Sequence, residues 1–422
     1  MTDIRDLTQY MGELGKNASK ASKVLAHLGT EEKNIALKLM AESLNDNKDK
    51  LMKANQEDLQ VAIEKNIGGP LLDRLELNKD RINSMISGLL SVVQLPDPIG
   101  EITKLKPTPS GIGVSKMRVP LGVVGIIYES RPNVTADAAS LCLKSGNSCI
   151  LRGGSESINS NKAIHRFLSE GISASKVPIE SIQLIETTDR EAVKKLLSMD
   201  RWIDVVIPRG GKGLVQLVSE EAKVPVIKHL DGICHVYIDK DCDKEKAISI
   251  AINAKTYRYG ICGAMETLLV DSNIAETLLP RINKEFEEKG VEVRGCAKTL
   301  EFISGIEATK EDWITEYLNP IISIKLVNGV DEAIDHINKF GSSHSDCIVT
   351  ENNDKAQHFL TRVDSSSVMH NVPTCWADGY EYGLGAEVGI STDKFHVRGP
   401  VGLEGLTSQK YIVKGNGELR GK

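Results

Sequence analysis

One thiol stands between glycines in the run Asn253-Ala-Lys-Thr-Tyr-Arg-Tyr-Gly-Ile-Cys262-Gly-Ala-Met-Glu-Thr267. A thiolate attacks acyl and carbonyl carbons well, and its ordinary pKa of about 8.5 falls beside positive charge or backbone N–H groups. Gly260 and Gly263 would let a substrate approach the sulfur, which makes Cys262 a candidate nucleophile. The local residues fit equally well a buried free cysteine acting as a small hydrophobe. A second group, His229, Asp231, Cys234 and His235, consists entirely of metal-ligand types. Its spacing matches no zinc signature and Cys234-His235 leads straight into an apolar run, so no metal is expected.

These residues need a scaffold. A chain of 422 residues exceeds one ordinary hydrophobic core, so two or three structural units are expected. The charged fraction of 26% and hydrophobic fraction of 41% are those of a globular protein. With 4% aromatic residues and a net charge of −6, the chain has neither stacking platforms nor a basic surface for nucleic acid. Eight cysteines (142, 149, 234, 242, 262, 296, 347 and 375) contain no C-x-x-C, against a zinc site or a disulfide framework and for a reducing compartment. The start Met1-Thr-Asp-Ile-Arg-Asp-Leu-Thr lacks the pattern of a secretory signal, and no later stretch is long and apolar enough to span a bilayer. No membrane association and a cytoplasmic location are expected.

The first hundred residues read as helices. Thr30 is placed to cap a segment with Glu31 and Glu32 in its first turn, and Ile35, Ala36, Leu39, Met40 and Leu44 repeat at helical spacing. Residues 101–120 form two short extended runs around a Pro/Gly/Ser turn, a protruding hairpin. From Gly122 apolar strands alternate with helices: strands at Val123–Tyr128, Cys149–Arg152, Ile182–Glu186 and Asp204–Ile207, helices at Asn133–Ser145 and Ser157–Glu170. After Asp231 come strands at Cys234–Asp239, Thr267–Val270, Val291–Arg294, Ser323–Val327, Cys347–Thr350 and Ser366–Asn371, with a helix at Asp331–Phe340. Continuous apolar strands separated by helices predict an α/β fold with parallel, doubly wound sheets. Leu406–Val413 is a late strand able to pair with the hairpin.

The cysteine segment, Asn253-Ala-Lys-Thr and Cys262-Gly-Ala-Met-Glu-Thr-Leu-Leu-Val270, resembles the catalytic segment of gamma-glutamyl phosphate reductases, also called glutamate-5-semialdehyde dehydrogenases, of the aldehyde dehydrogenase superfamily. The resemblance extends to Tyr128-Glu-Ser-Arg-Pro-Asn-Val-Thr135, Leu151-Arg-Gly-Gly-Ser-Glu156, Ile207-Pro-Arg-Gly-Gly-Lys-Gly-Leu214, His229-Leu-Asp-Gly-Ile-Cys-His235 and Gly383-Leu-Gly-Ala-Glu-Val-Gly-Ile-Ser391, running into His396-Val-Arg-Gly-Pro400. It covers roughly residues 100 to 410. Around the cysteine this chain departs from the usual glutamine, proline and asparagine with Tyr257, Tyr259 and Gly263, and further on Pro373 and Cys375 replace a serine and an arginine.

The resemblance implies an aldehyde-dehydrogenase-like fold: a doubly wound cofactor-binding domain at 1–100 and 121–232, an α/β catalytic domain at 233–390, and oligomerisation elements at 101–120 and 391–422. At least a homodimer is implied. No G-x-G-x-x-G follows a predicted strand, but the superfamily binds its dinucleotide differently. By carry-over, Arg152, Gly153, Gly154, Ser155 and Glu156 contact the adenosine ribose, Gly210 and Gly211 lie near the pyrophosphate, and Glu316 holds the nicotinamide ribose. Glycines and a helix start suit a phosphate, with Arg209 and Lys212 adding charge, although an ordinary strand-to-helix turn has the same residues. Arg152 suits a ribose 2′-phosphate, so NADPH is the expected cofactor.

The resemblance assigns Asn133 to an oxyanion hole with the backbone N–H of Cys262. Aldehyde-oxidising relatives keep a glutamate upstream of the cysteine to activate water; here that region reads His229-Leu-Asp-Gly, which fits an acyl group exchanged with phosphate. The implied reaction is NADPH-dependent reduction of L-glutamate 5-phosphate to L-glutamate 5-semialdehyde and phosphate through a Cys262 thioester, in proline biosynthesis. The alternatives are another acyl-phosphate reductase, an ordinary aldehyde dehydrogenase, or a silent scaffold of the same fold. Arg131, Arg258, Arg398 and Glu387 are candidates for the substrate's charged groups or for internal ion pairs.

Overall fold

The computed structural model describes residues 6–105 and 108–420, the side chain of Pro70 apart. Met1–Arg5 of the N-terminal stretch and Lys106 and Pro107 of the expected hairpin turn lie outside them. Two compact units are found: Met1–Lys228 with Leu384–Gly389 and Val401–Lys422, and His229–Gly383 with Ile390–Pro400.

The first unit opens with helices α1 (Leu7–Leu25), α2 (Thr30–Asp46), α3 (Lys48–Glu64), α4 (Gly69–Leu75) and α5 (Lys79–Gln94). Strands β1 (Ile102–Lys104) and β2 (Gly113–Pro120) follow, then β3 (Val123–Tyr128), α6 (Val134–Lys144), β4 (Ser148–Arg152), α7 (Ile158–Ser173), β5 (Ile182–Leu184), α8 (Glu191–Leu197), β6 (Val205–Arg209) and α9 (Lys212–Glu221). A four-stranded parallel sheet runs in the order β5-β4-β3-β6, with Ile126 opposite both Leu151 and Ile207. Every residue of β3 and β4 is buried, as continuous apolar strands covered on both faces require.

The second unit contains β7 (Cys234–Ile238), α10 (Lys244–Thr256), β8 (Met265–Asp271), α11 (Ala275–Glu288), β9 (Glu292–Gly295), β10 (Ile306–Glu307), β11 (Ile321–Val327), α12 (Val330–Phe340), β12 (Ser345–Val349), α13 (Asn353–Arg362), β13 (Ser367–His370), β14 (Ile390–Ser391) and β15 (Gly399–Pro400). Its seven-stranded sheet, in the order β10-β9-β11-β8-β7-β12-β13, is parallel throughout. One face packs Val236, Leu268 and Ile324 against Ile250, Leu279, Ile282 and Phe286 of α10 and α11. The opposite face meets α12 and α13 through Tyr237, Leu269, Ile337 and Phe359. The alternation of apolar strands and helices read from the sequence is thus realised as a doubly wound α/β fold.

The last strand, β16 (Thr407–Lys414), belongs to the first unit and pairs antiparallel with all of β2, as expected of a late strand beside the hairpin. β1, β2 and β16 make a separate three-stranded sheet.

Two expectations for α2 are corrected. Thr30 does not cap it: the helix begins at Thr30, Gly29 is the N-cap, and the Glu32 carboxylate accepts from the Gly29 N–H at 2.9 Å. The Thr30 hydroxyl instead donates to Asp97. The inner face also differs, since Ile35 is exposed while Ala36, Leu37, Met40, Ala41 and Leu44 are buried. Neighbours on two sides, α5 and α7, pull the buried stripe round the helix, which a one-sided periodicity does not anticipate.

Gly171 of α7 lets the two helix backbones approach, because a Cβ there would lie 2.6 Å from the Leu39 carbonyl oxygen and 2.7 Å from Met40 Cα. Helix propensity favours alanine over glycine by about 1 kcal/mol, but overpacking against rigid backbone costs about 1–3 kcal/mol and wins. Gly171→Ala is therefore expected to lower the urea midpoint of the first unit; an unchanged or higher midpoint would mean that α2 and α7 separate freely.

Candidate active site

In the second unit the loops before four adjacent parallel strands, β11, β8, β7 and β12, bring the site together at the amino ends of the sheet. Glu316 precedes β11, Cys262 precedes β8, His229 and Gly232 precede β7, and His344 immediately precedes β12. The Glu316 carboxylate accepts from the Gly232 N–H at 2.9 Å. A Cβ on Gly232 would lie 2.7 Å from Cys262 Cα, so only glycine lets this segment press on the cysteine backbone. Behind it, the buried Cys234 thiol donates to the Cys262 carbonyl at 3.1 Å. Cys262 itself is half-buried.

Two imidazoles face the thiol. One ring nitrogen of His229, one of His344 and Cys262 Sγ all lie within 4.8 Å of one another. The Nδ1 of His229 is 3.0 Å from the Ile390 carbonyl oxygen. A carbonyl only accepts, so in the neutral ring this nitrogen carries the proton and Nε2 keeps its lone pair. His344 places Nδ1 at 2.9 Å from Ser345 Oγ and 3.6 Å from Cys234 Sγ. His235, by contrast, points to the other side of β7 and binds Asp346 at 2.8 Å, so the four ligand-type residues noted in the sequence do not converge. Sequence reasoning missed His344; its sole signal is a histidine just before a predicted strand, and its nearness to Cys262 is purely tertiary.

Beneath the loop, Lys255 Nζ meets Glu266 Oε2 at 2.5 Å, both side chains being fully buried. Burial pushes the Glu266 carboxyl up to about 7 and the Lys255 ammonium down, with their mutual attraction opposing both. Glu266 also accepts from the Leu318 N–H, tying the start of β8 to the segment that carries Glu316. Neither residue was singled out in the sequence, although both lie in the quoted motifs.

The residues that depart from the family pattern fall into place locally. Tyr257 is exposed and Tyr259 packs against the core of this unit. A Cβ on Gly263 would stand 3.2 Å from the Thr374 carbonyl oxygen and 3.4 Å from Cys375 Cα. Two departures, Gly263 and Cys375, are therefore in contact: a small residue at 263 admits the turn that holds Cys375.

In the first unit strand order reverses between β3 and β6, and such a reversal opens a crevice at the carboxyl ends of the strands. Gly210 and Gly211 follow β6 there and lead into α9. The Gly211 N–H donates to the Glu129 carboxylate at 2.9 Å, so a side-chain anion occupies the helix start where a phosphate would bind. Arg209 pairs with Glu387 at 3.9 Å. At the end of β4, Arg152 is buried and donates to the Gly153 carbonyl at 2.6 Å and the Thr188 carbonyl at 3.4 Å, with Ser155 and Glu156 in the following turn. A Cβ on Gly153 would meet Tyr128 at 2.9 Å. The residues fit a dinucleotide: glycine backbone, a helix start already accepting an anion, and an arginine hydrogen-bonded to the Gly153 and Thr188 carbonyls with Glu156 nearby.

Asn133 stands at the N-cap position of α6 but makes no capping bond; its Nδ2 donates to Asp137 at 2.8 Å. Burial raises the Asp137 carboxyl to about 6, against the Asn133 hydrogen bond and the charge of Arg209. Among the substrate-binding candidates, Arg398 is engaged by Asp364 at 2.7 Å and Glu387 by Arg209, whereas Arg131 and Arg258 are exposed.

A family model for the aldehyde dehydrogenase family matches residues 11–298. Among solved structures, a gamma-glutamyl phosphate reductase from Thermotoga maritima is 44% identical, with a TM-score of 0.95 over 97% of this chain and 99% of that one. One from Saccharomyces cerevisiae is 32% identical, with a TM-score of 0.54 over 98% and 99%. An acetylating aldehyde dehydrogenase from Geobacillus thermoglucosidasius, 17% identical with a TM-score of 0.70 over the whole of both chains, shares the fold. The fold is thus that of the aldehyde dehydrogenases. The chain belongs to that family and, within it, to the gamma-glutamyl phosphate reductases. The family uses a nicotinamide cofactor. Among the described residues no helix is long and apolar enough to cross a membrane.

Two outcomes are expected. Gly232→Ala displaces the Cys262 backbone and slows alkylation of the half-buried thiol by iodoacetamide, measured by mass spectrometry of the Cys262 peptide; unchanged labelling would mean the contact does not set the loop. Asp137 contributes stability that is full below about pH 3.8 and lost as pH rises through about 6, because its folded pKa is raised. Relative to Asp137→Asn, the parent chain should lose up to about 3 kcal/mol between pH 4 and 7, read from urea unfolding; a flat difference would show that Asp137 is ionised at both ends.

Proposed function

We propose that this chain is an NADP-dependent glutamate-5-semialdehyde dehydrogenase that reduces L-glutamate 5-phosphate to L-glutamate 5-semialdehyde and phosphate, a step of proline biosynthesis. The observation that carries the reading is the 44% identity to a gamma-glutamyl phosphate reductase along nearly the whole chain, joined to a half-buried Cys262 in a pinned loop.

Cys262 is the nucleophile. Its sulfur bonds to the acyl carbon of the acyl phosphate, the bond to the phosphate oxygen breaks, and a thioester, phosphate and the thiol proton result. When bound, NADPH supplies the hydride that reduces the thioester carbon. The resulting thiohemiacetal collapses, with a proton returned to the sulfur and the aldehyde released. Asn133, its amide oriented by Asp137, serves the developing oxyanion through its second N–H. His229 occupies the position where aldehyde-oxidising relatives keep a glutamate, so the thioester lacks that carboxylate base to activate water and exchanges with phosphate.

For the cofactor, Arg152 to Glu156 are assigned to the adenosine ribose, Gly210 and Gly211 with Arg209 to the pyrophosphate, and Glu316 to the nicotinamide ribose. NADPH over NADH rests on Arg152, whose planar guanidinium suits a 2′-phosphate; its hydrogen bonds go to the Gly153 and Thr188 carbonyls, and Glu156 is the nearby carboxylate that acts on it. A phosphate at α9 displaces the Glu129 carboxylate from the Gly211 N–H. A cytoplasmic homo-oligomer is proposed, with the three-stranded sheet as pairing element; Tyr411 and Val413 of β16 are 65% and 57% exposed.

NADP⁺ reduction with glutamate 5-semialdehyde should require phosphate, dropping at least about 100-fold without it, the low end of what a general base supplies to a water-dependent route. Asn133→Ala should lower kcat about 10²–10³-fold and Cys262→Ala should abolish turnover. Phosphate-independent oxidation would identify an ordinary aldehyde dehydrogenase instead.

A further inference from the structure

We propose that Cys262, His229 and His344 together form a binding site for a thiophilic divalent metal ion, zinc being the natural candidate, and that the bound ion inhibits the enzyme by capturing its nucleophile. The inhibitory part rests on the reading of Cys262 as nucleophile; the site itself rests on geometry alone. One thiol sulfur and two imidazole nitrogens from three separate loops lie within 4.8 Å of one another. Zinc–sulfur and zinc–nitrogen bonds of about 2.3 Å and about 2.0–2.1 Å put the ligand atoms of a tetrahedral ion about 3.4–3.6 Å apart. A movement of about 1 Å closes the set, and rotation of the Cys262 side chain about its Cα–Cβ bond can supply it without shifting the backbone.

The surroundings of both rings favour ligation. Histidines that bind metal characteristically give their other ring nitrogen to a carbonyl, carboxylate or similar partner, which fixes the tautomer and the ring. His229 does this through Nδ1 and the Ile390 carbonyl, leaving Nε2 with its lone pair. His344 Nδ1 is likewise taken up by Ser345 and Cys234. The Cys234 thiol bonded to the Cys262 carbonyl and the Gly232 contact hold the cysteine backbone in place beside them. On binding, the Cys262 thiol releases its proton to solvent and the sulfur donates a lone pair to the ion; nothing is oxidised or reduced. Three protein ligands leave one coordination position for water. A sulfur whose lone pair is held by the ion no longer attacks an acyl phosphate, so occupancy and catalysis exclude each other.

The test uses the full-length protein and Co²⁺ as an optical stand-in for Zn²⁺. Titration of the metal-free, reduced chain should give an intense thiolate-to-cobalt charge-transfer band and four-coordinate visible bands, displaced by one equivalent of Zn²⁺. The charge-transfer band should vanish in Cys262→Ala. In His344→Gln and His229→Gln, affinity should fall at least about 10–100-fold, the loss that even an outer partner of a metal site brings; either variant suffices if the other fails to fold. Zn²⁺ should inhibit phosphate-dependent turnover over the same concentration range, with full recovery on adding a chelator. No charge-transfer band, or one that survives Cys262→Ala, would overturn the site. A band with these dependences in a chain that never reduces NADP⁺ would uphold the site while refuting the proposed reaction. Turnover unaffected by Zn²⁺ at saturation of the band would overturn the inhibition.

Discussion

The close approach of Gly232 to the backbone of Cys262 is the contact on which the candidate site depends. It brings the loop before β7 against the loop before β8, and any side chain at 232 would take the space that the cysteine main chain occupies. Hydrogen bonds fix both partners: Glu316 receives the Gly232 N–H and Cys234 donates to the Cys262 carbonyl. These bonds satisfy backbone groups that a pinned loop would otherwise leave buried without partners. The same clamp sets His229, three residues before Gly232, beside the thiol.

The two parallel sheets present their candidate residues at opposite ends. In the first unit the glycine turns and Arg152 follow the carboxyl ends of β4 and β6, where the reversal of strand order opens a crevice. In the second unit Glu316, Cys262, His229 and His344 precede the amino ends of β11, β8, β7 and β12. Adjacent parallel strands lie only about 4.8 Å apart, so residues at equivalent positions before neighbouring strands meet even when far apart in sequence.

Charge is buried under this arrangement. The Lys255–Glu266 pair is wholly desolvated, and such pairs add little net stability because the cost of removing two ions from water offsets their attraction. What the pair supplies is fixed geometry: Glu266 binds Lys255 and the Leu318 N–H together, so the start of β8 and the Glu316 segment are held in one register.

The sequence alone determined the alternation of strands and helices, the thiol between glycines and the family, since these follow from local periodicity and from contiguous motifs such as Cys262-Gly-Ala-Met-Glu-Thr267. Strand boundaries such as Val123–Tyr128 were legible because a strand buried on both faces is apolar throughout. The inner face of α2 was not, because packing from two sides, and not the helix's own pattern, decides which residues are covered. Only the tertiary structure decided that His344 and His229 converge on Cys262, that His235 turns away to Asp346, that Glu129 fills the start of α9, and that Gly263 makes room for the turn bearing Cys375. Each of these depends on which strands lie side by side and which way a side chain leaves its strand, and that information resides in the packing of distant segments, not in any one of them.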